Sequence, residues 1–179
     1  IMKCDIAIEL AMAKQILVRE YDKAIYWGIK DPSTSVLMQF WLKVFSDLKV
    51  KPHYLIMVRH PMDVFRSLEK RDQFSIEKSL ILWVHYTLGS FENYHKDSHS
   101  IMLYDNLMND TEKQVENCID TYAPELHSKV IEACAFISVE LRNHSSQTSE
   151  NKSNDAICEL ALSLYNCVNE LPFNKQEID

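Results

Sequence analysis

An arginine and a serine eight positions apart are the residues of this chain best suited to holding an anion. Arg59 follows the apolar run Tyr54–Val58, and Pro61 opens a segment with apolar residues at helical spacing. This pattern predicts a buried strand, a sharp turn and a helix, with Arg59 at the strand's carboxyl end and Ser67 in the helix. Ligands of open α/β sheets bind at that edge, beside helix N-termini that attract anions. We therefore expect the guanidinium and the hydroxyl to share one phosphate.

A second cation, Lys30, ends another apolar run. The residues of Ala24–Lys30 are aromatic and β-branched, which predicts a short strand. If the two strands are parallel neighbours, Lys30 and Arg59 border one cleft. Arginine offers a planar fork to phosphate oxygens, and lysine offers a compact, mobile charge. Such a pair suits transfer of a phosphoryl-like group, in which catalysis is mostly positioning and stabilisation of charge.

The residue after Lys30 has two interpretations. Asp31 could act as a catalytic base that accepts the proton of an acceptor hydroxyl. It also precedes Pro32, and a carboxylate followed by proline is typical of a helix N-cap and first helical position. We favour the capping interpretation and keep the catalytic one as a candidate.

The remaining patterns indicate the scaffold. A third strand is predicted at Ser100–Tyr104, and the polar residues 143–154 predict a mobile loop. Helices are predicted at 5–22, from Asp31 to about 48, from Pro61 to about 72, at 76–96 with Ser75 as cap, and at 111–121, 124–137 and 154–171. We expect one α/β domain over 1–179: a parallel sheet flanked by helices, with a helix-rich C-terminal part. Because three strands are few for such a sheet, we expect a further strand before Ile1.

Composition narrows the classes of function. The chain has 179 residues and a net charge of −7, which argues against a general nucleic-acid-binding protein. It has no apolar run of transmembrane length. Its five cysteines form no CxxC pair, which favours reduced thiols and a cytoplasmic location and offers no metal site. With two glycines, it has no Gly-rich phosphate loop.

Five segments together resemble the PAPS-dependent sulfotransferases, especially their bacterial-type and tyrosylprotein-sulfotransferase-like branches. VRHPMDVFRSLEKR resembles the family's 3′-phosphate-binding segment, and WGIKDP (27–32) resembles its Lys-Asp-Pro segment. LILWVHYT (80–87), IMLYDNLMND (101–110) and FISVELRNH (136–144) resemble a helix, a strand end and a late segment of the family.

The resemblance implies a P-loop-like α/β fold and the sulfate donor PAPS, with adenosine 3′,5′-bisphosphate as product. By the same resemblance, Arg59 and Ser67 bind the 3′-phosphate and Lys30 contacts the transferring sulfuryl group. Arg142 either reaches the nucleotide phosphates or forms a surface ion pair. No metal is expected, because lysine and arginine supply the positive charge. The family's 5′-phosphosulfate loop is expected upstream of Ile1.

The acceptor stays open: a hydroxyl or amine on a small molecule, saccharide, lipid or peptide fits equally, and the oligomeric state is equally open. An alternative function is a catalytically lapsed sulfotransferase-like module that binds nucleotides or proteins. A third is a P-loop kinase, which would need a Walker-type GK[ST] loop and Mg²⁺.

Overall fold

The computed structural model of the chain describes residues 6–92, 99–137 and 156–171. It divides into two compact units, Ile1–Pro52 and His53–Asp179. The predicted loop at 143–154 and the candidate ligand residue Arg142 lie outside the described residues.

The described residues of the first unit include two α-helices. α1 spans Ala7–Tyr21 and α2 spans Met38–Leu48. Leu17 of α1 is buried, as are Val44 and Phe45 of α2. The Lys14 ammonium donates a 2.8 Å hydrogen bond to the Asp47 carboxylate, which connects the two helices. The helix predicted at 5–22 is confirmed, whereas α2 begins later than predicted, after the 3₁₀ turn Pro32–Thr34.

The strand predicted at Ala24–Lys30 is wrong. The segment has no regular structure, and Ile25 is 89% exposed. Trp27 alone is partly buried, because its ring stacks on Tyr21 with 4.9 Å between centroids. A strand needs a neighbour for its backbone hydrogen bonds, and the described part of this unit contains only helices and turns. The aromatic and β-branched residues therefore do not produce a strand here.

The second unit is built on two parallel strands with two helices between them. β1 is Tyr54–Val58, α3 is Pro61–Asp72, α4 is Ile76–Glu92 and β2 is His99–Leu103. The register pairs Tyr54 with His99 and Val58 with Leu103. β1 and α3 are confirmed as predicted, and β2 lies one residue before its predicted place. The described residues thus form a two-stranded parallel sheet in place of the three strands predicted.

Four more helices complete the second unit: α5 (Tyr104–Asn109), α6 (Thr111–Tyr122), α7 (Val130–Ala135) and α8 (Ala156–Asn169). α6 and α8 are confirmed. The helix predicted at 124–137 is a 3₁₀ segment, Pro124–Lys129, followed by α7. α5 was not predicted.

The core of this unit lies between the sheet and two helices. Leu80 of α4 and Ala161 of α8 are completely buried, and Val58 and Ile101 from the strands pack with them. Both strands thus contribute to one core with α4 and α8. The chain is therefore a helix-rich α/β protein with a small parallel sheet. The four cysteines described are free thiols.

Candidate anion-binding site

The carboxyl ends of the two strands form the centre of the candidate site. Because Val58 pairs with Leu103 in parallel register, the next residues of each strand, Arg59 and Tyr104, leave the sheet at the same edge. The Arg59 Cζ atom lies 4.7 Å from the centroid of the Tyr104 ring. Stacking of a guanidinium on an aromatic ring restricts its position without using its N–H groups. Tyr104 therefore supports the Arg59 side chain and leaves its hydrogen-bond donors unused.

The main chain of Arg59 is fixed separately. The indole Nε1 of Trp83, in α4, donates a 3.0 Å hydrogen bond to the Arg59 carbonyl oxygen. Trp83 is buried in the core, so the turn between β1 and α3 is attached to the most rigid part of the unit.

One edge of the Arg59 guanidinium lacks a partner. Its Nε and Nη2 atoms are buried and have no hydrogen-bond partner among the residues described. These two atoms carry parallel N–H groups, the side-on pair that binds two oxygens of a phosphate, sulfate or carboxylate. Leaving a buried donor unpaired costs about 1–3 kcal/mol, and more when it is charged. An oxyanion that reached this edge would therefore satisfy both donors.

His60 forms the turn that follows Arg59. Its Nδ1 accepts a 3.3 Å hydrogen bond from the Met62 amide, so His60 is the N-cap of α3. An acceptor at Nδ1 requires that nitrogen to be unprotonated. Burial lowers the pKa of His60, although the nearby carboxylates of Asp63 and Asp105 oppose this effect. The neutral ring thus holds the start of α3 beside Arg59.

A buried ion pair lies in the first turn of α3. Asp63 is only 1% exposed, and Arg66 Nη1 donates a 2.8 Å hydrogen bond to its carboxylate. A carboxylate near a helix N-terminus interacts favourably with the helix dipole. Arg66 is therefore engaged with Asp63, in contrast to the unpaired edge of Arg59.

The third contributor to this region is α8. The Tyr165 hydroxyl donates a long hydrogen bond, 3.5 Å, to Asp105 Oδ2, and its ring meets the His60 ring edge-on at 4.9 Å. The Tyr165 ring also lies 6.5 Å from that of Trp83. Burial and the negative charge of Asp105 raise the pKa of Tyr165, so its hydroxyl stays protonated and can donate.

Ser67 lies in α3 as predicted and is partly buried. It follows Pro61 by six positions, about 9 Å along the helix axis at ~1.5 Å per residue. A phosphate held by both Arg59 and Ser67 would therefore lie against the side of α3 and not at its N-terminus. The shared phosphate stays a prediction.

Lys30 and Asp31 belong to the first unit, whereas Arg59 and Ser67 belong to the second. No strand ends at Lys30, so the argument that two strand tips bring Lys30 and Arg59 together is wrong. The capping interpretation of Asp31 is confirmed, because its carboxylate accepts a 2.7 Å hydrogen bond from the Ser33 amide. Hydrogen bonds from the Ser33 side chain and amide lower the pKa of Asp31, which makes it a weaker base.

The sequence interpretation gave no role to Tyr104, Asp105 or Tyr165. The first two could have been selected, because Tyr104 ends a predicted strand and Asp105 directly follows it, as Arg59 follows β1. Tyr165 carries no such signal. It lies 60 positions after Asp105, and only the packing of α8 brings it to the strand ends.

A separate group of polar side chains lies on α6 and the 3₁₀ segment after it. His127 Nδ1 lies 2.7 Å from Asp120, and its Nε2 lies 3.7 Å from Glu116. The hydrogen bond and charge of Asp120, with a smaller effect of Glu116, raise the pKa of His127. One ligand atom from each of Glu116, Asp120 and His127 lies within 4.8 Å of the others, so the three side chains converge. All three are exposed, and such acidic groups are common on protein surfaces without a metal ion.

The chain matches no protein-family model, and it has no significant match to a curated protein or to a solved structure. No helix in the described part of the chain is long and apolar enough to cross a membrane.

Proposed function

We propose that this chain is a sulfotransferase that moves a sulfuryl group from PAPS to a hydroxyl or amine acceptor. The observation that carries the proposal is the unpaired Nε and Nη2 edge of Arg59 at the carboxyl end of β1. Two parallel N–H donors on a fixed cation match two oxygens of the donor's 3′-phosphate. We choose a sulfate donor over other phosphate-bearing ligands because residues 58–71 resemble the 3′-phosphate-binding segment of sulfotransferases.

In the proposed reaction, the acceptor oxygen or nitrogen attacks the sulfur in line with the bond to the 5′-phosphate. That sulfur–oxygen bond breaks, the acceptor loses a proton, and adenosine 3′,5′-bisphosphate leaves. Arg59 contributes by anchoring the far end of the donor, which fixes the sulfur for in-line attack. Ser67 adds a hydroxyl contact from the side of α3.

The proposed role of Lys30 is contact with the sulfuryl oxygens, where charge grows as the bond to the leaving group lengthens. It rests on the Lys-Asp-Pro resemblance alone, since no strand ends at Lys30. Asp31 accepts a capping hydrogen bond from the Ser33 amide, so a catalytic role for Asp31 is the less favoured part of the proposal.

The decisive measurement is calorimetric binding of adenosine 3′,5′-bisphosphate to the wild type and to Arg59→Ala. Loss of a charged hydrogen bond costs about 1.5–3 kcal/mol, so we expect affinity to fall by about 10- to 150-fold. Arg71→Ala is the matched control, because Arg71 lies at the end of the helix that follows Arg59 and pairs with Asp72 on the surface. We expect this control to bind like the wild type.

Comparison with adenosine 5′-monophosphate locates the contact. If Arg59 holds the 3′-phosphate, the wild type prefers the bisphosphate and Arg59→Ala loses that preference. Equal affinity of wild type and variant for the bisphosphate would show that Arg59 is not the anchor. A wild type that binds no nucleotide would contradict the proposed donor.

The alternative function is a catalytically lapsed module that binds a nucleotide or a protein. The geometry around Arg59 supports anion binding, which both functions require. Lys30, the proposed catalytic residue, is exposed and follows no strand, so catalysis has less structural support than binding. Radiolabelled PAPS with a panel of acceptors distinguishes the two functions. Nucleotide binding without any labelled product would support the lapsed module.

A further inference from the structure

Tyr165 contacts three of the residues that determine where Arg59 lies. Its ring touches His60, the residue after Arg59, and lies near Trp83, which binds the Arg59 carbonyl. Its hydroxyl bonds to Asp105, the residue after the tyrosine that supports the guanidinium. Through this one side chain, α8, a helix remote in sequence, contacts residues close to the carboxyl ends of both strands.

Asp105 is the natural competitor for the open edge of Arg59. It lies one residue after Tyr104, whose ring carries the Arg59 guanidinium, and a carboxylate is the preferred side-chain partner of that fork. Yet Nε and Nη2 of Arg59 have no partner among the described residues, and Oδ2 of Asp105 accepts from Tyr165. An internal Arg59–Asp105 pair would occupy the same donors that an incoming anion needs.

We propose that Tyr165 is a positioning residue that holds the Asp105 carboxylate away from Arg59 and so keeps the Nε and Nη2 donors unpaired for an anion. The inference deepens the proposed function and rests on it. The tyrosine does not touch the donor. It acts through Asp105, and its effect should disappear when that residue can no longer form an ion pair.

A double-mutant cycle tests this role. The four proteins are the wild type, Tyr165→Phe, Asp105→Asn and the double variant, each titrated with adenosine 3′,5′-bisphosphate and, separately, with inorganic phosphate. Tyr165→Phe keeps the ring contacts and removes the hydroxyl. We expect it to weaken binding about fivefold or more, the scale of one hydrogen bond. Asp105→Asn should restore binding to within about twofold of the wild type in the double variant.

The size of the rescue separates positioning from general effects. Removing a negative charge strengthens anion binding in any background. The rescue therefore supports the positioning role only if Asp105→Asn increases the affinity more in Tyr165→Phe than in the wild type. Equal effects in both backgrounds, or unchanged binding by Tyr165→Phe, would overturn the inference. A wild type that binds neither probe would instead overturn the proposed function. Thermal melting of all four proteins shows whether the fold is intact, and a variant that lost affinity by unfolding would not be rescued by Asp105→Asn.

Discussion

Around Arg59, each neighbouring side chain has a separate task. Tyr104 carries the guanidinium, Trp83 fixes the carbonyl and His60 caps the following helix. None of these contacts uses the Nε and Nη2 donors, which stay unpaired among the described residues. A functional cation that is fixed without being neutralised has the preorganisation that an anion site requires.

His60 makes the stability of the second unit depend on pH. Because burial lowers its pKa in the folded chain, the unfolded chain binds a proton first as the pH falls below about 6.5. The stability that His60 contributes is thus present above pH 6.5 and is lost as the pH falls through the lowered pKa.

The variant His60→Asn tests this sign. Asparagine keeps an acceptor at the N-cap but does not titrate. We expect the urea midpoint of the variant to fall less than that of the wild type between pH 7.5 and pH 5. The exposed His85, changed to Asn, is the control and should behave like the wild type. A larger acid loss in His60→Asn would contradict the prediction.

His127 acts in the opposite direction, because its raised pKa favours the folded state at low pH and that contribution is lost as the pH rises. It is present in every protein of the comparison, so the difference between variants isolates His60.

Among the secondary-structure elements, sequence patterns correctly predicted those that depend mainly on interactions between residues close in sequence. α3 and the Asp31 cap depend on neighbours in sequence, and both are confirmed. β1 is confirmed too, because it has a partner strand, β2, later in the chain. The strand predicted at Ala24–Lys30 depended on a partner strand that the described residues of its unit do not contain. The role of Tyr165 likewise depends on contacts between distant segments, because only the packing of α8 brings it to the strand ends, and so it was not predicted.

The ends of two helices offer a direct stability test. α2 is followed by Lys49 at φ 55° and α3 by Gln73 at φ 56°, both in the left-handed conformation that glycine adopts without strain. We expect Gln73→Gly to stabilise the second unit by about 0.5–1 kcal/mol, measured from chemical unfolding. Lys70→Gly, inside the same helix, is the control and should destabilise by about 1 kcal/mol. A destabilised Gln73→Gly would show that the strain is absent.

For the whole molecule, the fold class was predictable and the organisation was not. Alternation of helical and strand patterns indicated an α/β chain, which is confirmed. The division into two compact units depends on which helices share a core. Periodicity in the sequence identifies the apolar face of a helix but not the element against which that face packs. The single domain over 1–179 stays a prediction.

The core of the second unit predicts a contrast between adjacent residues. Leu80 is completely buried against the sheet, whereas Ile81, next to it in α4, is 55% exposed. Leu80→Ala should lower the free energy of unfolding by about 2–5 kcal/mol through lost burial and a cavity. Ile81→Ala is the control, with an expected change within about 1 kcal/mol, measured by urea unfolding. Similar losses in both variants would place the core elsewhere.

The parallel pairing of β1 and β2 also determines the order of events during synthesis. His99 follows its partner Tyr54 by 45 positions, with all of α3 and α4 between them. At about 5–20 residues per second, β1 leaves the ribosome roughly 2–9 seconds before β2. During that delay, Leu55 and Met57 have no sheet to join, and they stay partly exposed even in the finished fold. Until β2 follows, the backbone of β1 therefore lacks the hydrogen-bond partners that the finished sheet provides.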